Sequence, residues 1–402
     1  VRSFNIIVTN DAPSNHFNPV IYTGNGGTKA ISTVGFKPDL IWIKERGGTD
    51  RHVLIDSIRG TNSQLSSNST AAETTYSSNL TSFDTNGFTL GSASESNGNN
   101  DLFVAWNFKA GVAPDAINSN GAGLAPTLGS VMIDGVKSTA ALAGATPATK
   151  ISANTTNGFS IVSYTGPASD STIAHGLGVK PSMIIQKPTG SGSWNVYFAP
   201  GVIDATTTYY YMVLNSSATK GITGAAGPTT TTFNSAGTGA HIAYCFADIA
   251  GFSKVGSYTG NGNTDGPIVN TGFEPAFVMV KGSSNSGSWI MYDNKRSTTN
   301  PRNKILYADS TASESTNTNL NINFLTNGFQ LTGSDTDYNG SGRSFIYLAM
   351  AADGSTATPT LANSFATEIY AGNGGTQSIT TGLKPDFVWI KNRNTTNWHA
   401  LQ

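Results

Sequence analysis

A single cysteine, Cys245, in 402 residues excludes an intrachain disulfide and any zinc site built on thiolates. Charge is scarce too. Only 12% of residues are charged, and 23 basic against 24 acidic side chains leave a net charge of −1, so there is no electrostatic footprint for nucleic acid or anionic lipid. No apolar run approaches the ~18 residues of a membrane helix, which excludes helical membrane insertion. Heptads, His-Glu-x-x-His, a Gly-x-Ser-x-Gly elbow and a Walker loop are likewise missing.

What is there is glycine, at 45 positions, with abundant Ser, Thr and Asn and 10% aromatic residues. That composition predicts turns and Thr-rich strands. One phrase returns four times: Tyr22-Thr-Gly-Asn-Gly leading to Lys37-Pro-Asp-Leu-Ile-Trp-Ile-Lys44, then Tyr164 to Lys187, Tyr258 to Lys281 and Tyr370 to Lys391. The spacing is too long for a solenoid, so each copy is read as a small domain.

Within a copy, Leu40-Ile-Trp-Ile43 and its counterparts Met183–Gln186, Phe277–Val280 and Phe387–Ile390 read as strands covered on both faces. The closing segments alternate: Val104, Trp106, Phe108; Ile242, Tyr244, Phe246; Ile346, Leu348, Met350. Period two marks strands lying on a core. Asn25-Gly26, Asn86-Gly87, Asn261-Gly262, Asn327-Gly328 and Asn373-Gly374 predict turns with positive φ. The expectation is an all-β chain of tandem antiparallel β-sandwich modules, jelly-roll-like, in series. Its parts are an N-terminal segment 1–16, modules 17–111, 156–251 and 252–354, and the start of a fourth, 355–402, whose early stop is expected of a piece of a longer protein. An Ala/Gly/Pro/Thr-rich linker, 112–155, is expected to pack on the second module, with a helical turn at Ser138–Ala143. Each module of about ninety residues is expected to bury its own core.

Reactive side chains do not recur in matching places. Cys245 aligns with Asn107 and Ala349, a small-residue packing slot. His52 and His399 align with Asn195 and Ile290, which points to strand packing. Asp56, Asp84, Glu95, Asp293, Asp335 and Asp337 are scattered carboxylates with no pair marked as close. No catalytic residue is assigned. Asp335-Thr-Asp337-Tyr-Asn339-Gly340 matches half of a calcium loop but has Ile346 at the twelfth place, so a polar turn is preferred to a metal site. Trp194, Trp289 and Trp398 follow their lysines at similar distances, with Arg51 in the first copy. A place that takes Trp or Arg suits a rim, and these three are the candidate glycan-stacking residues, weighed against packing between modules.

The phrases Gly35-Phe-Lys-Pro-Asp-Leu-Ile-Trp-Ile-Lys44, Asp56-Ser-Ile-Arg59-Gly60, Ser82-Phe-Asp-Thr-Asn-Gly-Phe-Thr-Leu90, Phe103-Val-Ala-Trp-Asn107 and His175-Gly-Leu-Gly-Val-Lys-Pro181 resemble a repeated β-domain of tailed-bacteriophage virion proteins of marine and freshwater origin. The resemblance implies a non-enzymatic tail-fibre protein on the virion surface, extracellular and without cofactor. Its implied partners are other virion proteins and copies of itself, as a homotrimer, and it would space or present a host-recognition surface. A second reading makes the modules lectin-like units that bind host glycans. A third makes the chain a capsid decoration or an extracellular filament subunit.

Overall fold

The computed structural model describes residues 12–351, 368–379, 387–393 and 400–401. Its larger compact unit, Val1–Thr356, holds the first three modules. The first module contributes β1 (Phe17–Thr23), β2 (Lys29–Ile31), β3 (Leu40–Glu45), β4 (Val53–Asp56), β5 (Ser63–Gln64), β6 (Thr74–Thr75), β7 (Leu80–Asp84), β8 (Gly87–Leu90), a four-residue helix α1 (Ser94–Asn97) and β9 (Leu102–Phe108). They form a large antiparallel sheet in the order β1-β9-β3-β4 and a small one, β2-β8-β7, with β5 paired to β6.

Next come β10 (Val131–Ile133), β11 (Val136–Lys137), β12 (Ala148–Asn154), β13 (Phe159–Gly166), β14 (Thr172–Ala174), β15 (Pro181–Pro188), β16 (Asn195–Phe198), β17 (Tyr210–Val213), β18 (Gly221–Ile222), β19 (Thr232–Asn234) and β20 (Gly239–Ala247). The run β13-β20-β15-β16 reproduces β1-β9-β3-β4, and β14 pairs β19 as the small sheet. The segment expected to be a linker is part of this module: β10, β11 and β12 extend the large sheet beyond β13. Ser138–Ala143 is not helical; Leu142 is buried in the module's apolar cluster instead.

The third module has β21 (Ser253–Thr259), β22 (Ile268–Asn270), β23 (Pro275–Gly282), β24 (Ile290–Asp293), β25 (Lys304–Tyr307), β26 (Ser315–Thr316), β27 (Ile322–Leu325), β28 (Gly328–Leu331), α2 (Thr336–Asn339) and β29 (Ser344–Ala351). Its sheets, β21-β29-β23-β24-β25-β26 and β22-β28-β27, repeat the first module's plan. In the second unit, Ala357–Gln402, β30 (Trp389–Ile390) pairs antiparallel with β31 (Ala400–Leu401).

The chain is all-β, as its composition predicts, with strands in several antiparallel sheets. Strand β3 is buried throughout. Ile41 and Ile43 join Val20, Ile31, Phe88 and Leu90 in a cluster between the first module's two sheets. Leu40 and Trp42, on the opposite face, join a different cluster that runs through all three modules. Period-two alternation explains the split, since neighbouring residues of a strand point to opposite faces.

Each module does bury a core of its own between its sheets, but the shared cluster corrects the picture of modules merely strung in series. Leu40, Trp42, Trp106 and Phe108 of the first module, Ile185, Trp194, Tyr244 and Phe246 of the second, and Phe277, Met279 and Leu348 of the third share one interior. All of these but Trp106 line a void of about 10 Å3, room for no more than one water. Phe108 packs on Phe159 and Phe246 at 5.4 and 6.0 Å, and Phe17 and Trp106 on Phe277 at 5.7 and 5.9 Å. Each large sheet is thus covered on one face, wholly or in part, by its own small sheet and on the other by two neighbours.

The Asn-Gly turns divide into two kinds. Gly26, Gly262 and Gly374 have φ of +65°, +72° and +76°, the left-handed conformation that glycine adopts without penalty. At Asn86-Gly87 and Asn327-Gly328 the turn lies one residue earlier. Asp84 pairs with Gly87 and Leu325 with Gly328, which leaves Thr85-Asn86 and Thr326-Asn327 as the loops. The glycine is required there by close approach: a methyl group on Gly87 or Gly328 would lie 1.8 or 1.9 Å from the carbonyl oxygen of Ile31 or Val269.

Candidate functional site: the contacts between modules

Trp194 and Trp289 are fully buried, at 0% exposure, so neither presents a face to a glycan; the rim reading is corrected. Trp398 lies outside the described residues. Each buried indole spans a seam between modules. Trp194 Nε1 donates to the carbonyl of Ser66 in the first module at 2.8 Å, and Trp289 Nε1 to that of Val213 in the second at 3.0 Å.

Strand register also corrects the slot. Val53, Asn195 and Ile290 pair with Ile43, Gln186 and Val280, the residues just before the three lysines. His52, rather than Arg51, therefore stands where the other modules have tryptophan. It makes the same contact, with Nε2 2.9 Å from the carbonyl of Tyr307 in the third module. Trp42 Nε1 donates to His52 Nδ1 at 2.8 Å, which fixes the neutral tautomer with the proton on Nε2. Burial, with Lys44 nearby, lowers the ring's pKa to about 3.

Backbone bonds repeat this cyclic order. Glu73 N donates to Thr189 O at 2.7 Å, Lys220 N to Ser283 O at 3.3 Å and Glu314 N to Arg46 O at 2.7 Å, joining first to second, second to third and third to first. The last seam is reinforced by Arg46, whose Nε and Nη2 reach both carboxylate oxygens of Glu314 at 2.9 and 2.8 Å, and by Ser67 Oγ donating to Ala308 O at 2.7 Å.

A third set lies in the shared core. Tyr244 OH donates to Asp56 Oδ2 at 2.8 Å, and Trp106 Nε1 donates to Asp293 Oδ2 at 3.1 Å. Each aspartate also holds an arginine three residues on: Arg59 Nε at 2.6 Å and Arg296 Nε at 2.5 Å. Burial opposes the charge on Asp293, yet Arg296 and the backbone amides hold its pKa below the ordinary carboxylate value. At the remaining seam, register puts Leu348 in the donor's place and Phe198 in the aspartate's. Donor and acceptor are replaced together, so no polar atom is stranded.

The lysine that ends each of the first three phrases is buried and turns back on carbonyl oxygens. Lys44 Nζ reaches Glu45 O and Gly48 O, Lys187 Nζ reaches Pro188 O and Gly190 O, and Lys281 Nζ reaches Gly282 O and Ser217 O of the second module, all between 2.6 and 3.2 Å. Burial lowers the pKa of each to about 8. The opening tyrosines stack on Phe103, His241 and Phe345 at 5.2 Å, and Tyr22 and Tyr258 donate to the carbonyls of Ser96 and Tyr338.

The half calcium loop is a helix start. Asp335 caps α2 by accepting from Asp337 N at 2.9 Å. Asn339 Nδ2 donates to Asn263 O and Gly333 O, and its Oδ1 accepts from Asn261 N. The first module does the same with Asn97, which binds Asn25, Gly27 and Gly91. Among the described residues no group of three or more His, Cys, Asp or Glu side chains is placed to hold a metal. Glu95 is held by Arg51 and Gln64, and Asp84 by Ser82 and Thr89. Cys245 occupies the small-residue slot, fully buried; burial pushes its thiol up to about 12, which leaves it unreactive near neutrality.

Sequence comparison within the chain missed His52 by one position and passed over the Trp106–Asp293 and Tyr244–Asp56 pairs. The signal was present in the matched Asp-x-x-Arg spacing of Asp56/Arg59 and Asp293/Arg296.

The sequence matches the profile of a domain of unknown function (DUF7483) over residues 12–132, 134–353 and 361–402. The match spans nearly the whole chain, which therefore belongs to that family. No curated protein matches it significantly.

Proposed function

We propose that this member of the DUF7483 family is a non-enzymatic structural protein, a rigid β unit of a bacteriophage tail fibre that spaces or presents a host-recognition surface. The observation that carries the structural half is the cyclic closure of three modules on one core. Asp56, Asp293, His52 and the three lysines, all deeply buried, are spent on bonds that hold backbone or neighbouring modules. Such a unit resists bending because no module can move without opening two seams.

The virion location rests on the sequence resemblance. Among the described residues no helix is long and apolar enough to cross a membrane. Antibody labelling of purified virions by electron microscopy tests the location: label on tail fibres supports it, and label on capsids alone or on free filaments overturns it. A homotrimer belongs to the same proposal. Light scattering that returns the mass of one 41.8 kDa chain would count against it.

A further inference from the structure

The outer face of the second module is built differently from the other two. In the first module Ile55 and Gln64 lie on that face and are buried, with Gln64 bonded to Asn79 beside β7 and to Glu95 of α1. In the third, register puts Tyr292 and Ile305 in the same places. Both are fully buried, and the Tyr292 hydroxyl donates to Leu320 O at 2.9 Å.

The second module has no counterpart of that cover. Strand β14 pairs only with β19, and four residues after β19 the chain enters β20, so the third strand of the small sheet and the short helix are both missing. The uncovered places hold Tyr197 and Tyr211, directly opposite each other on β16 and β17. Both are half-buried. Tyr209 stacks on Tyr197 at 5.6 Å, and Tyr211 lies 6.2 Å from Tyr197. The Tyr209 ring is buried, and its hydroxyl has no hydrogen-bond partner. Gly221, opposite Tyr211, has no side chain to occupy the space where that ring lies.

Half-buried aromatic rings set side by side on an uncovered face, carrying phenol hydroxyls, are the chemistry that a sugar ring satisfies. Its C–H face stacks on the aromatic face, and its hydroxyls both donate and accept. Charge selects further, because the Asp170 carboxylate lies close enough to act on Tyr197 and disfavours an anionic sugar.

We propose that Tyr197 and Tyr211, with Tyr209 beside them, form a binding site for an uncharged hexopyranose. The site goes beyond the structural role and does not depend on it.

Saturation-transfer NMR on the 402-residue chain tests this with four neutral probes, the methyl glycosides of glucose, galactose, mannose and N-acetylglucosamine, and with glucuronate as the charged comparator. Transfer to the ring protons of at least one neutral probe is expected, with weaker transfer to glucuronate. Tyr197→Ala, and Tyr211→Gln, which installs the first module's residue, should each weaken binding at least tenfold with near-ultraviolet circular dichroism retained. Tyr209→Phe, which removes only a hydroxyl sealed from solvent, should leave transfer unchanged, and a loss of transfer there would overturn the assignment of the contact to Tyr197 and Tyr211. Absence of transfer to all four neutral probes, or transfer unchanged in both Tyr197→Ala and Tyr211→Gln, overturns the site. Preferential binding of glucuronate overturns the ligand class. None of these failures touches the structural reading, which is tested by virion labelling.

Discussion

Trp106 Nε1 donates to Asp293 Oδ2 at 3.1 Å across the seam between the first and third modules. That seam closes without a direct chain connection, so non-covalent contacts alone hold it. Asp293 and Arg296 are both buried there, at 0% side-chain exposure. Removing one partner of a buried ion pair strands the other charge, which costs about 3–5 kcal/mol, whereas losing one neutral donor costs about 1–3 kcal/mol.

Asp293→Ala is therefore expected to destabilise the chain more than Trp106→Phe does, by roughly 2 kcal/mol on those magnitudes. Urea denaturation of the two variants measures the difference. Equal losses would mean that the aspartate is not carrying the arginine.

Acid should weaken the same seam through His52. Its folded pKa of about 3 lies below the ordinary value of about 6.5, so between those limits the unfolded chain takes up a proton that the folded chain refuses. Stability is present above pH 6.5 and is lost as pH falls toward 3. His175 and His241 are also lowered by burial, so the informative quantity is a difference. His52→Gln should lose less stability than wild type over that range, by up to one proton's worth; parallel pH curves would sink the assignment.

The buried lysines act at the alkaline end. With folded pKa values of about 8 against about 10.4 for free lysine, the unfolded state keeps its protons longer, and the contribution of each lysine to stability rises with pH across that window. Wild type should gain on Lys281→Met between pH 8 and 10. A Tm difference between the two that is constant with pH would show that Lys281 titrates normally in the fold.

Trp194→Ala should behave as a core substitution. A cavity where a buried indole stood costs about 3–5 kcal/mol, and Ser66 O loses its donor as well. Thermal unfolding should show the first and second modules destabilised together, because the indole belongs to both. A variant of wild-type stability that had lost only sugar binding would restore the rim reading.

Much of this was legible locally. The continuous apolar run of β3, the alternation of β9, β20 and β29 and the slot shared by Cys245, Asn107 and Ala349 all follow from strand periodicity and residue volume. The tryptophan slot was not legible in the same way. Lys44 and Lys281 stand eight residues before it and Lys187 seven, and only hydrogen-bonded register shows that His52 completes the set. Exposure was harder still: Trp194 looks the same in sequence whether it faces solvent or a neighbouring module.

The sequence by itself determined that this protein is a repeated β unit, poor in charge, whose strands have large apolar residues on alternate positions, because those properties are set by side chains a few residues apart. Tertiary structure alone decided where the second apolar face of each sheet is buried. A module does not specify in its own pattern whether that face meets solvent, another chain or its neighbours. Contacts more than a hundred residues apart in the chain, such as Trp194 with Ser66 and Trp106 with Asp293, settle that by closing three modules on one core.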